Sequence, residues 1–189
     1  MDFTRFVALG DSITEGLSDE RIAGQYRGWA DRVADVLSQS VPDFSYANLA
    51  VRGKKLEQVV AQQAVRTLAE TGATLLLFTV QEVREPRTRA QRMWNERFCA
   101  INDNARATAA EVGAMLMDGN DVEVFYDSRL LAPDRLHLNA DGHRRVAAAV
   151  LERLGLPHDS DWRDPLPLLR PRPAPLRWAG TAVWALVFL

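Results

Sequence analysis

The amino-acid sequence predicts an α/β domain, a parallel sheet with helices on both faces. Three observations lead there. Short apolar runs recur at residues 6–9, 44–51, 74–80 and 114–117 and read as buried strands. The longer stretches between them place apolar residues three or four apart, the period of one helix face. Strand and helix therefore alternate, which is the pattern of βαβ units.

Each element has its own signal. Phe6-Val7-Ala8-Leu9 is a continuous apolar run that stops at Gly10-Asp11-Ser12, a strand ending in a turn. A helix is expected over 26–38, where Trp29, Val33 and Leu37 fall four apart. Residues 44–51 read as a second strand, closed by Arg52-Gly53. In the next helix, 56–70, Leu56, Val59, Val60 and Leu68 are apolar, with Gly72 placed to end it. Residues 74–80 contain Leu75-Leu76-Leu77-Phe78, the most apolar of the four runs. A third helix is expected over 90–112. The fourth strand, 114–117, is ended by Asp118-Gly119-Asn120. Asn139 is placed to cap a last helix through Val146, Val150 and Leu154, which stops at Gly155. Parallel sheets carry their chemistry in loops at the carboxyl ends of the strands. Here those are residues 10–24, 51–55, 81–89 and 119–137.

The 189 residues fit about one domain. With 23 basic and 25 acidic side chains the formal charge is −2, which excludes a polybasic nucleic-acid coat and an acidic solvating tail. The 47% apolar and 25% charged content is that of a globular chain with a core. Of the basic residues only Lys54 and Lys55 are lysines. The five arginines from Arg84 to Arg97 are interleaved with Glu82, Glu85 and Glu96, a solvated mixed-charge surface with no aromatic residues alternating to stack bases. Cys99 is the single cysteine, so an internal disulfide and a cysteine-based zinc site are excluded. The first five residues lack the basic-then-apolar pattern of a secretory signal, and the expected compartment is the cytoplasm. After Gly155 the composition shifts: six of the nine prolines lie between Pro157 and Pro175. The chain therefore divides into an α/β domain, 1–156, and an extended tail, 157–189. The tail ends in 12 uncharged residues, 178–189. That falls short of the roughly 20 needed to span a bilayer, so docking on the domain or weak membrane contact is favoured over insertion.

Ser12 sits where the first strand runs into its loop, a place from which a hydroxyl projects over the sheet edge. Ser12-Ile13-Thr14-Glu15 also fits a helix capping box. A serine nucleophile needs a base within hydrogen-bond reach. Asp134-Arg135-Leu136-His137 supplies one, with a carboxylate three residues ahead to orient the imidazole. His143, beside Arg144-Arg145, reads as a surface histidine, and His158 lies in the tail without a local partner.

Phe6-Val7-Ala8-Leu9-Gly10-Asp11-Ser12-Ile13-Thr14-Glu15-Gly16 resembles the first block of the SGNH, or GDSL-type, esterases and lipases. Tyr46-Ala47-Asn48-Leu49-Ala50-Val51-Arg52-Gly53 resembles their second block, and Asp134-Arg135-Leu136-His137 their last. The resemblance runs from about residue 6 to 155, with the motifs in the family's order. It implies a flavodoxin-like three-layer α/β/α fold and metal-free, cofactor-free hydrolysis of small-molecule esters through an acyl-serine. It implies Ser12 as nucleophile, His137 as general base and then acid, and Asp134 as its orienter. The N–H groups of Ser12 and Gly53 would bind the oxyanion.

One part of the pattern is missing. The family's third block, usually Gly-x-Asn-Asp, supplies an asparagine to the oxyanion hole, but residues 81–86 read Gln-Glu-Val-Arg-Glu-Pro. Gly119-Asn120-Asp121 has the letters in the wrong loop. Four strands are found where the family has five, which reads as deletion of one βα unit; a local rewrite of the block is the alternative. Gln81, at the tip of strand 74–80, is the candidate substitute donor in a weakened oxyanion hole. Closure of the sheet is expected to put 74–80 directly beside 6–9, because a gap would leave backbone groups unpaired. Two other functions stay open: a ligand-binding descendant that no longer turns over, and a nucleotide or phosphoacceptor domain using Asp11. The second lacks a phosphate-cradling glycine-rich loop.

Overall fold

The computed structural model describes residues 3–53 and 62–168. The start of the helix expected over 56–70 and the segment 178–189 lie outside the described residues. In chain order the first half comprises strand β1 (Arg5–Ala8), a hairpin of β2 (Arg21–Ile22) and β3 (Gln25–Tyr26), helix α1 (Trp29–Ser38) and strand β4 (Ser45–Asn48). Then follow helix α2 (Gln62–Glu70), strand β5 (Leu76–Phe78), helix α3 (Arg89–Val112), strand β6 (Met115–Met117) and helix α4 (Ala140–Arg153). Short 3-10 turns fill much of residues 119–130, and another spans Ser160–Arg163.

The helix ends follow local chemistry. Tyr26, expected in the first helix, instead pairs with Arg21 across the small hairpin. Extended Gly28 then caps α1, its N–H bonding the Asp31 carboxylate at 2.9 Å. At α3 the Thr88 hydroxyl accepts from the Gln91 N–H, and the Gln91 side chain accepts from the Thr88 N–H. That reciprocal pair satisfies two otherwise orphaned donors. Asn139 caps α4 by accepting from the Gly142 N–H at 3.0 Å.

The four expected strands are present and parallel in pairs, with Phe6 opposite Tyr46 in β1–β4 and Leu77 opposite Leu116 in β5–β6. α1 and α4 cover one face. Ala8, Trp29, Val33, Leu37, Val150 and Leu151 form the core beneath β1 and β4. Met117, Ala148, Ala149 and Trp162 form a second core beneath β6. On the other face α3 packs against β5 and β6, and α2 against α3. The result is a three-layer α/β/α fold.

The expected closure of the sheet does not occur. Among the described residues no ladder joins β1 to β5; the sheet consists of two parallel pairs. Side chains bridge them instead, with the Trp29 and Phe78 rings 4.9 Å apart. α4 gives the physical reason: Val150 and Leu151 are committed to one core, Ala148 and Ala149 to the other. A single rigid helix packed on both pairs holds them at its own spacing.

The tail also departs from expectation. Trp162 is buried, stacks on Phe125 at 5.7 Å and donates its indole N–H to Glu152. Arg145 caps the carbonyls of Trp162 and Asp164, and Arg129 those of Leu166 and Pro167. Residues 157–168 are thus anchored to the domain. His158 has partners after all, the Leu156 carbonyl at 2.8 Å and Glu152 at 3.6 Å. Among the described residues no helix is long and apolar enough to cross a membrane.

Candidate active site

β1 delivers the chain to a tight turn. The Asp11 carboxylate accepts from the Ile13 N–H, its carbonyl from Glu15, and the Ser12 carbonyl from Leu17. No regular helix starts there, so the capping reading of Ser12-x-x-Glu15 is not realised. Glu15 instead pairs with Arg52 at 2.6 Å. Asn48 donates to the Thr14 carbonyl at 2.8 Å, and the Val51 N–H bonds the Gly10 carbonyl. Together these bonds tie the turn after β4 to the turn that carries Ser12.

The opposite wall is equally rigid. Asp134 Oδ1 accepts from the N–H groups of Leu136 and His137, and Arg135 adopts φ +60°, which bends the chain sharply. The Ala132 N–H bonds the His137 carbonyl, and the Asn139 side chain holds the carbonyls of Arg129 and Leu131.

Across this cleft Ser12 Oγ lies 2.8 Å from His137 Nε2, and His137 Nδ1 lies 2.7 Å from Asp134 Oδ2. With Asp134 ionised, Nδ1 carries the proton and Nε2 is left to accept from the Ser12 hydroxyl. Burial pushes the Asp134 carboxyl up, but bonds from the His137 ring and the Leu136 and His137 amides outweigh it and hold the carboxyl below the usual range.

The other predicted residues are placed as follows. Gly53 is exposed with φ +77°, two residues beyond the Val51–Gly10 bond. Gln81 is exposed beyond β5, with its Oε1 beside the open side of Gly119. Asn120 does not face the dyad. Its amide donates to Thr79 Oγ1, the Val80 carbonyl and Asp118, and its oxygen accepts from the Glu82 N–H.

Three features were not legible as site residues. Asn102, fully buried on α3, holds both backbone groups of Val80 and the Glu82 carboxylate. With Asn120 it locks the segment where the third block belongs. Asn48 had a signal, its place inside the second block. His143 is the clear correction: it is not on the surface but fully buried, with Nε2 3.3 Å from the Leu17 carbonyl. Burial holds its pKa below the ordinary imidazole value, with Arg32 and His137 adding to the effect, Asp19 and the Leu17 bond opposing it. Asp19 and Arg32 form a largely buried ion pair at 3.0 Å.

The model of the GDSL-like lipase/acylhydrolase family matches residues 6–82, from β1 past the end of β5. Over that stretch the chain is similar to GDSL-like lipases and acylhydrolases. Among solved structures, one similar to this chain is a catalytic histidine-to-alanine mutant of an acetylxylan esterase from Geobacillus stearothermophilus. It has a TM-score of 0.59 at 16% identity, over 82% of this chain and 96% of that one. An α/β hydrolase from the metagenome of Lake Arreo, Spain, aligns at TM-score 0.56 and 20% identity, over 80% and 95%. The psychrotrophic esterase EstA of Pseudoalteromonas sp., solved with a monoethylphosphonate inhibitor, aligns at 0.56 and 14%, over 80% and 97%. Identities this low speak for the fold. No curated protein matches in sequence. The family match spans the strand end that carries Ser12.

Proposed function

We propose that this protein is a serine ester hydrolase acting on small acyl esters through an acyl-serine intermediate. The observation that carries the reading is the Ser12–His137–Asp134 relay, 2.8 and 2.7 Å between heavy atoms. Both distances lie within the range for a working nucleophile and base. Ser12 Oγ attacks the ester carbonyl carbon as its proton passes to His137 Nε2, and Asp134 stabilises the imidazolium. The oxyanion is received by the N–H groups of Ser12 and Gly53, with Gln81 as the candidate side-chain donor. His137 then protonates the departing alkoxide as the ester C–O bond breaks. A water, deprotonated by His137, attacks the acyl-serine, and the acid leaves as the proton returns to Ser12. The reaction needs no group beyond this chain, its ester and water.

The oxyanion hole is weakened in this proposal. Residues 81–86 after β5 hold no asparagine, and the nearby amides of Asn102 and Asn120 are spent on backbone and carboxylate partners. The test is mass spectrometry of the protein after exposure to a fluorophosphonate, beside hydrolysis of p-nitrophenyl acetate. One adduct is expected, on Ser12, absent from Ser12→Ala and His137→Ala. An adduct of equal yield on Ser12→Ala would remove Ser12 from the mechanism. Absence of both labelling and turnover in the native chain would favour a ligand-binding role.

A further inference from the structure

The split sheet leaves β1 open. The carbonyls of Thr4, Ala8 and Gly10 accept from the N–H groups of Ser45, Leu49 and Val51, so the even-numbered residues face β4. Backbone groups alternate direction along a strand, so those of Arg5, Val7 and Leu9 point to the other edge. Among the described residues nothing pairs with them. The face is bare as well. Phe6 and Ala8 belong to the core under α1 and α4, whereas Val7 and Leu9 turn away from it. Leu49 and Val51 continue their surface beyond β4, and all four side chains are 51–59% exposed. Phe78, at the end of β5, is 37% exposed. An open edge beside an apolar face is a template for another strand.

The chain holds a segment of matching chemistry. Residues 178–189 carry no charge. From Thr181 onward both alternating sets are apolar: Val183, Ala185, Val187 and Leu189 on one side, Ala182, Trp184, Leu186 and Phe188 on the other. A strand with one face in water alternates apolar with polar; a central strand of a parallel sheet, covered on both faces, does not. β-branched and aromatic residues fill the run, as strands favour. Reach is sufficient. The described chain ends at Leu168, and the nine residues 169–177, three of them prolines, span about 30 Å extended, roughly the diameter of a small domain.

We propose that segment 178–189 docks on the open edge and bare face of β1, as the strand that the two separate pairs lack. The docking buries Val7 and Leu9, supplies partners for the outward backbone groups of Arg5, Val7 and Leu9, and keeps the edge from pairing with a second copy. It is independent of the chemistry at Ser12.

The test uses the full chain with p-benzoylphenylalanine at position 7, irradiated as a mixture of ¹⁵N-labelled and unlabelled protein. Peptide mapping should find cross-links to 178–189 within one chain. Cross-links between labelled and unlabelled chains, to other segments only, or none at all overturn the proposal. Hydrogen exchange of the full-length Trp184→Asp/Leu186→Asp variant gives a second reading. The Val7 and Leu9 amides should exchange at least tenfold faster than in the native chain, while those of Val33 and Leu37 in α1 hold their rates; unchanged Val7 and Leu9 rates overturn it. Flotation with phosphatidylcholine–phosphatidylglycerol vesicles is the third arm. Co-flotation that protects 178–189 and leaves β1 unprotected assigns the segment to a membrane and overturns the docking.

Discussion

At the scale of single residues, the Asp134–His137 contact sets which ring nitrogen faces Ser12. Asp134→Asn keeps size and position but removes the acceptor that fixes the tautomer and the charge that steadies the imidazolium. A fall in kcat of about 10⁴-fold is expected on p-nitrophenyl acetate, with KM little changed. Steady-state kinetics checks it. Gln81 is a separate wager. If its amide meets the oxyanion, Gln81→Ala lowers kcat toward the roughly 10²–10³-fold typical of one lost donor. Unchanged kcat/KM ends its candidacy. His143 sets a pH dependence of stability. Its pKa is held low in the fold, so the unfolded chain binds more protons as pH falls below about 6.5, and stability declines with it. Native protein should lose more of its urea midpoint between pH 7.5 and 5.5 than His143→Gln. The meeting of Ser12, His137 and Asp134 was readable because each motif is local and stands at a strand end. His143 was misread because Arg144 and Arg145 beside it suggest a surface. Its position four residues after the capping Asn139 places it instead beneath the Ser12 loop, and only the fold shows what covers it.

At the scale of elements, the turn that carries Ser12 is held against the start of α1 by two glycines, Gly16 and Gly28. A methyl group at Gly28 would meet Gly16 backbone atoms at 2.6 Å, and Gly16 has φ +87°, a conformation that L side chains rarely adopt. Gly28→Ala is conformationally free at φ −76°, so its effect isolates the contact. We expect a loss of about 1–3 kcal/mol by urea unfolding, the usual scale of overpacking, together with lower esterase activity as the turn shifts. The four parallel strands and the helices were legible, because periods of 2 and 3.6 differ over a few residues, whereas the two-residue strands of the β2–β3 hairpin were not. Boundaries were less so. The first helix starts at Trp29 and not at 26, since the Arg21–Tyr26 pairing across the hairpin claims that segment. The knot that Asn102 and Asn120 tie around Val80 was illegible. It depends on how close α3 and the turn after β6 come to β5, and no local pattern encodes that distance.

At the scale of the molecule, the sequence predicts four strands and a lost βα unit, and the four strands are there. Their arrangement was the harder problem. Closure is the sequence expectation because open edges leave backbone groups unpaired. The helices decide otherwise, since α4 packs on both pairs and Trp29 on α1 meets Phe78 on β5. This makes α4 the element through which the two cores communicate. One core contains Val150 and Leu151, the other Ala148 and Ala149, and no backbone ladder between β1 and β5 backs up the connection among the described residues. If α4 transmits cooperativity, loosening either core should destabilise both. Trp162→Ala empties the second core and should cost about 3–5 kcal/mol, as removal of a buried aromatic does. Urea unfolding followed by hydrogen exchange provides the measurement. In native protein the amides of Val33 in α1 and Leu116 in β6 should report the same opening free energy, and in Trp162→Ala both should fall by the same amount. A fall at Leu116 with Val33 unchanged would mean that the two strand pairs unfold as separate units. The relay, which spans Ser12 on one pair and His137 beside the other, would then hold together only while both stay folded.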